Sequence, residues 1–155
     1  MMQEASARLT PPVEEHDHSQ GPASAPVTLV EYGDFECSYC GQAYPIVKEV
    51  QRRVGDRLRF VFRNFPLANA HPHAQHAAEA ADAAGAQGKF WEMHDTLYEN
   101  QRRLDDAHLV QCAMELELDQ ERFERDMASH VFATHVREDF MSGIRSGVNG
   151  PPHSS

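Results

Sequence analysis

What this 155-residue chain lacks narrows it first. It has three cysteines, one tryptophan and no internal repeat. No apolar run approaches the ~20 residues that a membrane-spanning helix needs. Three cysteines do not make a disulfide scaffold, so catalytic or metal roles come ahead of structural bridges. Basic side chains are scarce: 14 Lys and Arg stand against 24 Asp and Glu, a net charge of −10. Such a surface repels phosphate backbones and anionic lipid, which argues against nucleic acid and membrane surfaces as partners. The first 25 residues carry Glu4, Glu14, Glu15 and Asp17 and no apolar h-region, so the expectation is a cytoplasmic protein. Hydrophobic residues at 41% and charged residues at 25% argue against disorder, and the length suits one domain.

What is present centres on Cys37-Ser38-Tyr39-Cys40. Before it, Val27-Thr28-Leu29-Val30-Glu31-Tyr32 is short, apolar and β-branched, and reads as a buried strand. After it, Ala43, Ile46, Val47, Val50 and Val54 recur at helical spacing. The cysteines therefore fall where a strand hands over to the first turn of a helix. Free backbone N–H groups and the helix dipole favour a thiolate there. Residues 57–65 alternate Leu58, Phe60 and Phe62 with polar or β-branched neighbours and read as a second strand, so 26–66 is a βαβ unit with a parallel pair and a right-handed crossover.

Residues 1–25 lack periodicity and read as a flexible tail, in which His16-Asp17-His18 is expected to be solvated. From 67 to 147 the pattern is helical. Ala74, Ala77, Ala78, Ala81 and Ala84 form one small-residue face; Phe90, Met93, His94 and Leu97 stripe a second helix; Leu109, Cys112, Ala113 and Leu116 a third. Asp119 suits the N-cap of a fourth, with Phe123 and Met127 inward. Phe132, Val136, Phe140 and Ile144 stripe a fifth, which Gly147 ends.

Four motifs in order, residues 30–40 (Val-Glu-Tyr-Gly-Asp-Phe-Glu-Cys-Ser-Tyr-Cys), 63–67 (Arg-Asn-Phe-Pro-Leu), 71–74 (His-Pro-His-Ala) and 88–94 (Gly-Lys-Phe-Trp-Glu-Met-His), resemble the DsbA-like thiol:disulfide oxidoreductases. The resemblance implies an α/β, thioredoxin-like βαβ unit with a large inserted α-helical domain at 67–147. It also implies a nucleophilic Cys37, a resolving Cys40, an acidic strand residue at Glu31, and substrate contacts from Ser38, Tyr39 and Pro152. The family continues past Val148-Asn149-Gly150 with Thr-Pro-Thr, two strands and a helix. Here Pro151-Pro152-His153-Ser154-Ser155 follows, so 148–155 reads as a truncated cis-proline loop with the C-terminal strands and helix missing. A two-stranded sheet is marginal and leaves bare edges, so a homodimer or larger assembly through the exposed strand edge, or else a loosely packed chain, is expected.

Disulfide exchange needs an attacking thiolate and a second thiol to resolve the mixed disulfide. Asp34 and Glu36 flank Cys37 in sequence and oppose its ionisation if they also flank it in space. A buried Glu31 can relay a proton to Cys40; the bland alternative is a strand-edge glutamate in water. Cys112 and His94, on apolar stripes, read as a packed hydrophobe and a satisfied core histidine. The leading reading is an oxidoreductase acting on protein or small-thiol disulfides, with no cofactor and no assigned metal. One alternative is an impaired thioredoxin-fold module that binds or assembles. A weaker one is a metal protein using Cys37, Cys40 and the histidines His71, His73 and His76.

Overall fold

The structure, a computed structural model, describes residues 2–4 and 11–148. At its centre lie two parallel strands, β3 (Val27–Gly33) and β4 (Leu58–Asn64), in register from Val27 opposite Leu58 to Gly33 opposite Asn64. Helix α1 (Ser38–Val54) and a short 3₁₀ turn at Gly55–Arg57 connect them, giving the expected βαβ unit. Strand β4 is buried along nearly its whole length because both faces of the sheet are covered. Phe60 and Phe62 join the larger core with α1, α2 and α3, whereas Val30, Tyr32, Val61 and Phe65 form a smaller one with Phe140.

The sheet has four strands among the described residues, not two. β1 (Met2–Glu4) pairs antiparallel with β3, and β2 (His18–Gln20) pairs antiparallel with β4, in the order β1-β3-β4-β2. The reading of residues 1–25 as a tail is thus corrected for 2–4 and 11–25, and the edges thought bare are paired at Leu29–Glu31 and Phe60–Phe62. For the segment 11–25 a buried arginine is the cause. Arg63 on β4 has a side chain 2% exposed and needs a counter-charge there; Asp17 accepts from its Nε and Nη2, both at 2.9 Å. The same guanidinium donates to the carbonyls of Pro11 and Pro12, to Tyr32 Oη and to Ser142 Oγ. Gly21 then turns the chain away at φ +89, where a Cβ would lie 2.2 Å from the Leu58 carbonyl oxygen.

Five helices follow as the periodicity predicts: α2 (Ala74–Gly85), α3 (Phe90–Glu99), α4 (Asp106–Glu115), α5 (Gln120–Ala128) and α6 (Ala133–Arg145). Asp119 caps α5 by accepting from Arg122 N, and Gly147 follows α6 at φ +89. Three stripes differ from expectation; on α6, Ile144 is exposed one turn past the half-buried Phe140. α2 is buried nearly all round, because α3, α4, α5 and α6 all pack on its alanines. On α1 the buried line is Cys40, Ala43 and Val47, and Ile46 and Val50 face outward, since only one narrow side of α1 meets the sheet and α3.

Candidate active site

Cys37 is the N-cap of α1 and Cys40 sits in its first turn, both buried and both free thiols. The neighbouring Cys40 thiol favours the charged form of the Cys37 sulfur. The N–H dipoles of Cys40 and Tyr39 act on the same atom, though none closes a capping hydrogen bond. Together these hold the Cys37 thiol below the usual thiol range, against burial and the charge of Asp34. Cys40 moves the other way: its hydrogen bond to Cys37 and its burial push it up. The two neighbouring thiols are thus shifted in opposite directions.

Three side chains from outside the motif fix the turn that carries it. Asp34 Oδ1 accepts from Glu36 N at 2.8 Å, while its Oδ2 accepts from Leu67 N at 2.9 Å and pairs with His71 Nδ1 at 2.7 Å. Burial works against a charged His71, but the Asp34 carboxylate outweighs it and raises the imidazole above its usual range. Glu36 Oε1 accepts from His73 N at 2.8 Å. Gln101, beyond α3, donates from Nε2 to the carbonyls of Phe35 at 2.9 Å and Cys37 at 2.8 Å. Gly41 makes that approach possible, for a Cβ there would stand 2.1 Å from Gln101 Oε1. The two acids flanking Cys37 are therefore braces for the loop; Asp34 also opposes the thiolate as expected.

Glu31 is 2% exposed on β3, on the sheet face that carries Phe60 and Phe62. Burial lifts its carboxyl from 4.5 to about 7, and the Cys37 charge adds to the rise. Its Oε2 has no partner, and Tyr98 Oη is likewise unpartnered. A cavity of about 10 Å³, one water in size, lies against it between Gln20, Val47, Gln51 and Phe60. The carboxyl is thus buried, as one reading had it, and not a solvated edge residue.

Ser38 and Tyr39 are exposed beside the cysteines, Tyr39 at 55%. Pro152 lies outside the described residues. Cys112 is buried on α4 and its thiol is pushed up by burial, in keeping with a packed hydrophobe. His71, His73 and His76 are not brought together: His71 is held by Asp34 and His76 pairs with Asp106 Oδ1 at 2.7 Å. His94 is a core histidine satisfied at one nitrogen only. Its Nδ1 meets Asp95 at 2.9 Å, while Nε2 has no partner within a cage of Phe62, Trp91 and Tyr98. Burial lowers its pKa, so the ring is neutral. Gln101 had no signal in the sequence; Asp34 and His71 were visible but not as a pair.

Residues 14–153 match the Thioredoxin family. The Na(+)/H(+) antiporter NhaA 1 of Salinispora arenicola is 47% identical over 144 residues, covering 93% of this chain but only 22% of that protein. The chain spans less than a quarter of such curated relatives. Among solved structures, a thioredoxin-like oxidoreductase from Silicibacter pomeroyi superposes with a TM-score of 0.79 at 27% identity over 92% of this chain and 80% of that one. Oxidised BdbD from Bacillus subtilis gives 0.79 at 22% identity, over 88% and 78%.

Proposed function

The chain belongs to the thioredoxin family, in the DsbA-like arrangement with a helical insertion, and on that premise we propose that it exchanges thiols and disulfides through Cys37 and Cys40. The observation that carries this is the placement of Cys37 at the N-terminus of α1 with its thiol held low by Cys40. The Cys37 thiolate attacks one sulfur of a substrate disulfide, forming a mixed disulfide and releasing the other sulfur as a thiolate. Cys40 then loses its proton, attacks Cys37 and expels the second substrate thiolate. The substrate is reduced by two electrons and the Cys37–Cys40 pair is oxidised; the reverse sequence oxidises a dithiol. Glu31, titrating near 7, accepts the Cys40 proton and returns it.

The substrate class is protein or small-thiol disulfides. Ser38 and Tyr39 contact it, and a cavity of about 610 Å³ lined by Pro66, Leu67, Ala70, Val136 and Phe140 takes an apolar side chain next to the disulfide. Leu67 N is bonded to Asp34, so this cavity is tied to the cysteine loop. The test is an insulin-reduction assay with rapid alkylation by iodoacetamide. Cys37 should react faster than Cys40 near neutral pH and Cys112 slowest; Cys37→Ser should abolish turnover, and Cys40→Ser should trap a mixed disulfide. Equal reactivity of Cys37 and Cys112 would sink the assignment.

The relatives' length favours a second reading. A chain that matches 93% of itself to 22% of a protein named as an antiporter can serve as a binding or assembly module of a larger polypeptide. Full insulin-reducing activity lost in Cys37→Ser favours catalysis; a fold without turnover favours the module.

A further inference from the structure

Outside the redox centre, three side chains from three separate elements converge on one point. His18 of β2 places Nε2 2.8 Å from Asp82 Oδ1 of α2, and His135 of α6 places Nδ1 2.6 Å from Asp82 Oδ2. One ligand atom from each lies within 4.8 Å of the others. We propose that His18, Asp82 and His135 form a binding site for a divalent ion of the zinc class, which ties the N-terminal strand β2 to helices α2 and α6.

The donor chemistry fits. Two imidazole nitrogens and one carboxylate oxygen are a set that zinc accepts at about 2.0–2.2 Å, with the fourth position left to water. Calcium and magnesium prefer all-oxygen shells, so they are disfavoured here. His135 Nε2 lies 3.6 Å from Asp139 Oδ1, too far for a hydrogen bond but close enough for charge pairing. Asp139 is itself fixed by Asn64 N at 2.9 Å and Asn64 Nδ2 at 3.0 Å. The His18 ring lies flat on Phe90, with centroids 3.6 Å apart and planes 5° from parallel. Asp82 is buried, so a charge there demands a cation.

His18 and His135 meet the two Asp82 oxygens from separate elements, and a divalent ion would stand between all three side chains. The His18 and His135 side chains are each partly exposed, at 20% and 26%, so solvent reaches both rings. The role is mechanical: β2 reaches the helical layer through His18, and a metal would turn two hydrogen bonds into a fixed clip.

The test is zinc titration by calorimetry on the full chain carrying Cys37→Ser, Cys40→Ser and Cys112→Ser, so that thiolates do not compete. One equivalent should bind, with affinity falling at least tenfold in His18→Gln and in His135→Gln and unchanged in His76→Gln. The melting temperature of the parent should rise with zinc and return with EDTA. Imidazole NMR signals should shift at His18 and His135 and not at His71 or His76, a readout that stands even if a variant fails to fold. No binding, equal affinity in all variants, or shifts confined to other histidines would overturn the site.

Discussion

Replacing Asp17 with alanine removes one half of the buried pair that fastens the N-terminal segment to the sheet. The Asp17 and Arg63 side chains are 3% and 2% exposed, so the guanidinium left behind cannot be rescued by bulk water. Breaking a buried pair from one side costs about 3–5 kcal/mol. Arg63 keeps Tyr32 Oη, Ser142 Oγ and the carbonyls of Pro11 and Pro12, which points to the lower end, about 3 kcal/mol. At roughly 2–4 °C per kcal/mol for a chain of this size, the melting temperature should fall by about 6–12 °C. Amide exchange should rise at His18–Gln20 and at their β4 partners, Phe60–Phe62. The Arg63 hydrogen bonds, outweighing burial, hold the Asp17 carboxyl low, so its contribution is present at neutral pH and disappears as the pH falls through its folded pKa; the two melting curves should converge in acid. Adding Arg63→Met should recover part of the loss, because Tyr32 Oη and Ser142 Oγ remain bonded to each other at 2.8 Å. A drop under about 2 °C with unchanged exchange in β2 would refute the view that this pair holds the segment in place.

Glu31→Gln should make stability less dependent on pH. A carboxyl raised from 4.5 to about 7 favours folding below 4.5 and loses that advantage as pH rises through 7. Urea unfolding at pH 5 and pH 8 should show the variant gaining on the wild type by about 2.5 kcal/mol across the interval, and parallel curves would show that Glu31 is solvated. Gln101→Ala should free the Phe35 and Cys37 carbonyls at a cost of about 1–2 kcal/mol, read by urea unfolding and by faster alkylation of Cys40; Gly41→Ala should do the same by pushing Gln101 aside. His94→Phe should stabilise the core by about 1 kcal/mol by removing the unpartnered Nε2, while Asp95 keeps Lys48 at 2.8 Å; calorimetric melting that shows a loss instead would mean that the Asp95 bond matters more than the orphan.

The parts of the fold that were legible in the sequence are those governed by local periodicity. The βαβ unit and all five helices of the insertion follow from spacing, from Asp119 as a cap and from Gly147 as a stop. The segment before Val27 was not legible, because what orders it is not local. Strand β2 is three residues long, too short to show an alternation, and its attachments are an arginine 46 residues away and an aspartate 64 residues away. A sequence-level clue existed in Arg63: a charge inside an otherwise apolar strand needs a distant carboxylate, which Asp17 supplies.

The redox centre divides along the same line. Cys37, Cys40 and Glu31 were readable, because their places on a strand end and a helix start follow from neighbours in the chain. The groups that hold them were not, since Asp34, His71 and Gln101 act across 37 and 64 to 66 residues. That division has a consequence for mechanism. The peptide carbonyls of Phe35 and Cys37 and the backbone N–H of Leu67 and His73 are tied to side chains from the opposite side of the βαβ–insertion boundary. Cys37 is therefore positioned by contacts between the two parts, not by the strand–helix turn alone. Gln101→Ala together with Glu36→Gln would leave the helix-end contribution to the Cys37 thiolate, worth about 0.3–2 kcal/mol, but loosen the contacts that hold the loop. Thiol acidity should survive that change better than geometry does, and turnover should fall further than alkylation rate.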